Sequence, residues 1–374
     1  MTRRSSRLCL FTTAWITLTA GAQAATLAQW QERATGFVAR YEGSAFDAVT
    51  LDMDCQGLSL GKEQYALAVN STAELFAEID RLAKEEDADM GLAAIVDETA
   101  GDKAAELKAL IAESFAGDAN RVVRARSWQQ IKVGGAWVDL DEGECKTNKK
   151  RTVTTKNLRL KDGYLAALEA LLAHPASVAA QGNLLARRGR LALERATCWA
   201  RAARKSQTPN FQEYLFFFDY LIQNGDKFTT DGTLQLAALK IGFDDAVPEA
   251  AKDGAVRAKM LQMRDWLAAD FPHMRNTART IDHSDYAKTN AVDWFKRFEA
   301  GGIDKNQVRL AYIGLLRAML GNNQWAYNAM NRRGTILFAG GTANGVPYSA
   351  DTMRELLTGA GALDADVVAG ITCR

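Results

Sequence analysis

The chain is poor in histidine, proline and cysteine, with 3, 5 and 5 of them among 374 residues. Three histidines leave little material for a His-based metal centre. The cysteines lack Cys-x-x-Cys spacing and lie away from the histidines, so neither a metal nor a cofactor is expected. Scarce proline and the absence of low-complexity tracts exclude collagen-like segments and long disordered tails. Charge of one sign is also missing: Lys+Arg 46 against Asp+Glu 45 gives +1, which speaks against a nucleic-acid or general polyanion binder. Past the first residues there is no apolar run of about 18, the length a membrane-spanning helix needs.

What is present begins with a leader. Arg3, Arg4 and Arg7 form a positive region, Leu8 to Thr19 a short apolar one, and Ala22-Gln23-Ala24 a small-x-small site. Residues 1–24 therefore read as a signal peptide cleaved before Ala25, of the Sec rather than the twin-arginine kind. The mature protein is expected to be periplasmic or secreted and not inserted in a membrane. Removing the three arginines leaves 43 basic against 45 acidic residues, a charge near −2. Cys9 leaves with the leader. Cys55, Cys145, Cys198 and Cys373 remain, and an even count in an oxidising compartment predicts two disulfides, with three pairings open. Four buried free thiols are the alternative.

Most of the mature chain reads as helix. Trp30, Phe37, Val38 and Tyr41 share one side of a helix over 27–42. Similar periodicity recurs over 104–115, 164–173, 184–203, 211–223, 256–269, 306–320 and 352–357. Two places read as extended. Val49 to Asp54 alternates apolar and polar residues, as a half-buried strand does. Residues 121–140, with Gly134-Gly135 in the middle, read as a hairpin. With no repeat and no linker, the expectation is a mainly α (α+β) fold. It would be one domain over 25–374, built as two lobes with a small β element near its start. From Lys146 to Lys161 there are seven basic residues and no acid, and Arg187, Arg188, Arg190 and Arg195 follow. Such residues form either solvated faces or a surface for an anionic polymer.

The segment from Tyr41 to Gly61, YEGSAFDAVTLDMDCQGLSLG, carries the chemistry. Glu42 ends the first helix, where the helix dipole disfavours an ionised carboxylate. Partial burial against Tyr41 and Phe46 would raise its pKa further, as a general acid at neutral pH requires. Alternation puts Thr50, Asp52 and Asp54 on one face of the strand that follows. A Glu on a helix end opposite an Asp on an adjoining strand can flank a glycosidic bond, one protonating the leaving oxygen while the other activates water. Gly57-Leu58-Ser59-Leu60-Gly61 also matches G-x-S-x-G, leading into a helix expected near Lys62. A serine hydrolase using Ser59 with His174, His273 or His283 is the remote alternative, since the βα units that normally precede such a serine are missing.

This segment resembles the active-site motif of the chitosanase family of glycoside hydrolases and of related lysozyme-like cell-wall hydrolases. Their pattern, roughly D-G-[QR]-G-[YLI]-[ST]-x-G, is matched by Asp54-Cys55-Gln56-Gly57-Leu58-Ser59-Leu60-Gly61, and the preceding Glu by Glu42. Weaker similarities lie in Phe217 to Gly225, in Arg309-Leu310-Ala311-Tyr312, and in Trp325 and Arg332 to Gly345. Cys55 departs from the pattern, standing where a Gly is usual, and residues 84–161 read as an insertion. The resemblance implies a two-lobed lysozyme/chitosanase-like fold with a cleft between the lobes, and an inverting mechanism. Glu42 would be the acid and Asp54 the base, with Asp52 as runner-up. Ser59 would help hold the attacking water. Asp219 with Arg309, and with Arg332 or Arg333, would form a buried charge network behind Glu42.

Chitosan is a polycation in mild acid, and the basic run from Lys146 would repel it. Peptidoglycan carries peptide carboxylates, so its glycan strands are the expected substrate and chitosan the alternative. A monomer is expected. A non-catalytic glycan-binding envelope protein on the same scaffold is the reading from a different class. Trp128, Trp137, Trp266, Trp294 and Trp325 can stack on sugar rings, but at helical spacing such residues usually belong to the core.

Overall fold

The computed structural model describes residues 24–42, 45–51, 57–140, 157–224, 249–269, 283–320, 323–343 and 345–373. These are mainly helical, with three small antiparallel sheets. Helix α1 spans Leu27–Glu42, and its apolar stripe of Trp30, Ala34, Phe37 and Val38 is buried. Then comes a three-stranded sheet in the order β1 (Val49–Thr50), β2 (Ser59–Leu60), β3 (Tyr65–Ala66). The rest of the expected strand, Asp52 to Asp54, lies outside the described residues.

The helix expected near Lys62 begins instead at Ser71, as α2 (Ser71–Glu86). Gly61, Gln64 and Asn70 all take left-handed backbone, which breaks helical geometry and turns the chain back as β3. Helices α3 (Leu92–Thr99), α4 (Ala104–Phe115) and α5 (Asn120–Ser127) follow. The extended reading of 121–140 is thus corrected in its first part. Arg121 and Ala125 are buried one turn apart, and Arg121 donates to the Leu67 carbonyl at 2.7 Å, so helical period prevails there. The hairpin proper is β4 (Gln129–Val133) and β5 (Ala136–Asp139), turned by Gly134 and Gly135, both at positive φ. Strand β6 (Leu158–Leu160) pairs with the other edge of β4.

Helix α6 spans Tyr164–Ala173 and α7 Pro175–Trp199, about 37 Å of continuous helix. His174 caps α7, its Nδ1 accepting from the Ala176 amide at 3.2 Å, with Pro175 in the first turn. Helix α8 (Phe211–Asn224) opens on a capping box: Asn210 Oδ1 accepts from the Glu213 amide and Glu213 Oε2 from the Asn210 amide, at 2.9 and 2.8 Å. The chain continues as α9 (Glu249–Ala268), α10 (His283–Glu299), α11 (Lys305–Leu320) and α12 (Asn323–Leu337). It closes with a two-stranded sheet, β7 (Gly341–Ala343) and β8 (Val346–Tyr348), then α13 (Ala350–Thr358) and α14 (Ala365–Ala369).

Two large cores result. One joins α1, the second half of α7, and α8 to α14, with Trp30, Phe37, Trp199, Phe216, Phe218 and Trp294 at its centre. The other joins the β1–β3 sheet, α2 to α6 and the first half of α7. Helix α7 serves both: Ala176, Ala180 and Leu184 enter the second core, and Leu185, Ala192, Leu193, Ala196 and Trp199 the first. The stretch 84–161 was expected as an insertion. In its described part, Leu92, Ile95, Val96, Leu107, Leu110 and Trp128 lie in the same core as Leu58 and Leu60. Among the described residues, no helix is long and apolar enough to cross a membrane.

Of the four cysteines, Cys198 and Cys373 form a disulfide, and Cys55 and Cys145 lie outside the described residues. The bond ties the end of α7 to the last residues of the chain, where Arg201 also donates to the carbonyls of Ile371 and Val368 at 2.6 and 3.0 Å. It closes a loop of 175 residues, so its loss from the folded chain costs about 5 kcal/mol on the loop-entropy account. Replacing Cys198 and Cys373 by Ser should lower the melting temperature by roughly 5 °C. Scanning calorimetry of the variant, and of the native protein with reductant, measures this, and an unchanged Tm in both would contradict it.

Candidate functional site

The β1–β3 sheet is too short to stand alone, with two residues per strand. Its order is borrowed from α7. Gln181, almost fully buried, accepts from the Lys62 amide at 2.8 Å and donates to the Phe46 carbonyl at 2.9 Å. One side chain thus holds both the approach to β1 and the turn after β2. Gly61 sits at φ +73°, and a Cβ there would lie 2.3 Å from Gln181 Oε1, so this position requires glycine twice over. Lys62 Nζ lies 4.6 Å from the centroid of the Phe46 ring and closes the same corner.

Helix α1 reaches Glu42 as the sequence leads one to expect. The Glu42 side chain lies outside the described residues, as do Asp52, Asp54 and Cys55. Ser59 stands on the central strand β2, opposite Thr50 on one side and Ala66 on the other, and is half-buried. It is not at a strand-to-helix elbow, because β2 turns into β3 rather than a helix. His174 is engaged as a helix cap. The side chain of His283 and the whole of His273 lie outside the described residues.

Beside this sheet is a carboxyl that the sequence did not single out. Glu63, 7% exposed, accepts from the Tyr65 hydroxyl at 2.6 Å and from Arg188 of α7, both on Oε2. Arg188 also lies 5.2 Å from the Tyr65 ring centroid and 3.7 Å from Glu74 of α2. Burial raises the Glu63 pKa above its ordinary value, against the opposing pull of Arg188, the Tyr65 hydroxyl and the more distant Arg187. Burial also raises the Tyr65 hydroxyl, with the Glu63 charge adding to it. Nothing in Gly61-Lys62-Glu63-Gln64-Tyr65 distinguishes Glu63 from a solvated residue, and its partner lies 125 residues further on.

Of the residues expected in a charge network, Asp219 and Arg332 meet in a buried pair. Asp219 of α8 is fully buried and pairs with Arg332 of α12, whose Nε donates to Oδ1 at 3.0 Å. Arg333 turns to the Gly314 carbonyl at 2.9 Å and lies 4.8 Å from the Tyr220 ring centroid, and burial lowers its pKa to about 10. Arg309, expected to be the partner of Asp219, donates instead to Asn306 Oδ1 at 3.0 Å and lies 5.8 Å from the Trp199 ring centroid. Burial lowers its pKa to about 9, partly offset by Asp304. The two residues sit on separate helices, and Asn306 one turn before Arg309 offers the nearer acceptor.

The basic face expected on α7 is also changed. Arg188 turns inward to Glu63, and Arg187 pairs with Glu74. Arg190 is exposed beside a groove of about 350 Å³ between α2 and α7, lined as well by Glu78, Arg81, Asn183 and Arg187. Of the basic run from Lys146, the described members are Arg159, stacked 4.5 Å from the Trp137 centroid, and Lys161, paired with Asp139 at 3.0 Å. Trp128 and Trp294 are core residues, and the Trp325 side chain lies outside the described residues. Among the described residues no group of three His, Cys, Asp or Glu is placed to hold a metal ion. Comparison of the chain with family models, curated proteins and solved structures finds no match.

Two outcomes follow from these charges. Asp219→Ala removes one partner of a buried ion pair and should cost about 3–5 kcal/mol, read from the urea midpoint; a cost under about 1 kcal/mol, as for a surface pair, would contradict this. Glu63 holds its proton more tightly in the folded than in the unfolded chain. Its contribution to stability is therefore greatest at low pH and declines as pH rises from the ordinary value of 4.5 through the raised folded value. Glu63→Gln keeps the shape and removes the titration. Melting temperatures of the two proteins should diverge with rising pH, the native one falling relative to the variant, whereas parallel curves would show an unshifted carboxyl.

Proposed function

We propose that the protein is an exported glycoside hydrolase that cleaves an amino-sugar polymer, preferably the glycan strands of peptidoglycan, by an inverting acid/base mechanism. The observation that supports this is an order of elements. A helix closing at Glu42 is followed by a small antiparallel sheet whose central strand carries Ser59 behind the Gly57 turn. In this reading the two cores are two lobes, the substrate lies between them, and the sheet forms one wall of the cleft.

Glu42, at the negative end of the α1 dipole, protonates the leaving oxygen. Asp54, on the chain entering β2, takes a proton from water as that water attacks the opposite face of the sugar. Such a pair needs about 6.5–9.5 Å between carboxyl groups to admit the water. Ser59 helps to hold that water. The pair of Asp219 and Arg332, in the core on which α1 packs, keeps the floor of the cleft rigid. Peptidoglycan is preferred over chitosan because seven basic residues and no acid between Lys146 and Lys161 attract peptide carboxylates and repel a polycation.

Zymography on peptidoglycan and on chitosan, with mass analysis of the released sugars, tests the reading in native and Glu42→Gln proteins. The native protein should release muropeptides, and the variant should lose at least about a hundredfold in rate. Activity should fall at high pH as Glu42 deprotonates and at low pH as Asp54 protonates. Release of chitosan oligomers alone would change the substrate. Glycan binding without cleavage by either protein would leave a binding protein.

A further inference from the structure

Where the two cores meet, a small recess lies between α1, the turn after β2, α7 and α8. It is lined by Thr35, Val38, Ala39, Lys62, Glu63, Leu185 and Ile222, and its free volume is about 10 Å³, close to what one water molecule requires. Two of its lining groups carry a buried polar atom with no hydrogen-bond partner among the described residues: Thr35 Oγ1 and Glu63 Oε1. The other oxygen of Glu63 is already held by Tyr65 and Arg188. Left unsatisfied, each atom would bear the full penalty of its lost hydration. Val38, Ala39, Leu185 and Ile222 make the rest of the wall apolar, so it offers a water few competing partners.

We propose that Glu63 is a positioning residue, joined through one water in this recess to Thr35, and that this bridge fixes α1 against the turn that continues the Ser59 strand. Thr35 stands two helical turns before Glu42, and Glu63 four residues after Ser59. The bridge therefore spans the two elements that must keep a constant separation if they carry the two sides of a hydrolytic site. Tyr65 and Arg188 fix the carboxylate from the sheet and from α7. The water carries that constraint across to α1. The kinetic half of this proposal rests on the hydrolase reading; the structural half does not.

Three variants separate the parts. Thr35→Val removes the hydroxyl at constant volume, Ala39→Leu fills the recess, and Thr35→Ser keeps the hydroxyl. In a high-resolution crystal structure of the native protein, one water should lie within hydrogen-bond distance of Thr35 Oγ1 and Glu63 Oε1, and none should in Thr35→Val. Amide exchange at Gly61 and Leu67, whose hydrogen bonds to Ala48 and Leu58 frame the sheet, should accelerate about tenfold in Thr35→Val and Ala39→Leu and return towards native in Thr35→Ser. Hydrolysis should lose a similar factor in kcat with KM unchanged in the first two variants and recover in the third. A native protein inactive on both polymers removes the hydrolase reading alone, since the water and the exchange pattern still decide the bridge. A recess without a water, or exchange rates that ignore the Thr35 hydroxyl, overturns it.

Discussion

The structure turns on the grip of α7 on a sheet that cannot hold itself. Six residues in three strands bury too little to fold alone, so their position is set from outside. Gln181 does this with two neutral hydrogen bonds and Arg188 with a charged one, two turns further along the same helix. Both side chains project from a helix that also crosses both cores. Displacing the sheet would therefore mean displacing either α7 or the packing of Leu184 and Leu185 beneath it.

A buried carboxylate and guanidinium are an expensive means of attachment. Desolvation of the two charges roughly cancels their attraction, and an apolar pair of equal volume often serves stability as well. What the ionic pair supplies is direction. Arg188 can satisfy Glu63 in few geometries, with the Tyr65 hydroxyl fixing the same oxygen, whereas Leu against Leu would slide. The rise in the Glu63 pKa measures the same cost from the other side: burial dominates, and Arg188 compensates only in part. Asp219 and Arg332 repeat the arrangement in the first core, between α8 and α12. Each charged tie thus fixes the mutual orientation of two elements where apolar packing alone would leave freedom.

The helices were legible wherever a stripe of apolar residues repeated at helical spacing, as in 27–42, 104–115 and 164–173. The start of helix α2 was placed too early because the chain before it looked like a helix start, when Gly61, Gln64 and Asn70 had turned it the other way. Left-handed Gln and Asn residues carry no mark in sequence. Helix α5 was hidden by Val122 and Val123, which suggest a strand, while Arg121, Ala125 and Arg126 take the buried face. A buried network of Asp219 with Arg309, and with Arg332 or Arg333, was implied by the family resemblance alone, and only the coordinates show Arg332 as the partner. Glu63 and Arg188 were not legible at all. Charged residues read as solvated by default, and only the fold shows that these two meet inside it.

That last failure bears on how a site of this kind is built. Residues that do chemistry must be reachable by substrate, and a short motif can suggest where to look for them. The residues that keep them still must be buried, and they come from elements far apart in the chain. Glu63 and Arg188 are 125 positions apart, Asp219 and Arg332 113. A motif can survive in sequence after its supports have gone, so the supports are the better indicator that the geometry is maintained. Here the turn glycine at position 61, the glutamine that requires it, and the ion pair two helical turns further along α7 agree with one another. These features of different kind converge on six residues of sheet that could not hold their position alone. The position of the sheet is therefore fixed by agreement between distant segments of the chain, which is what any site built on it would require.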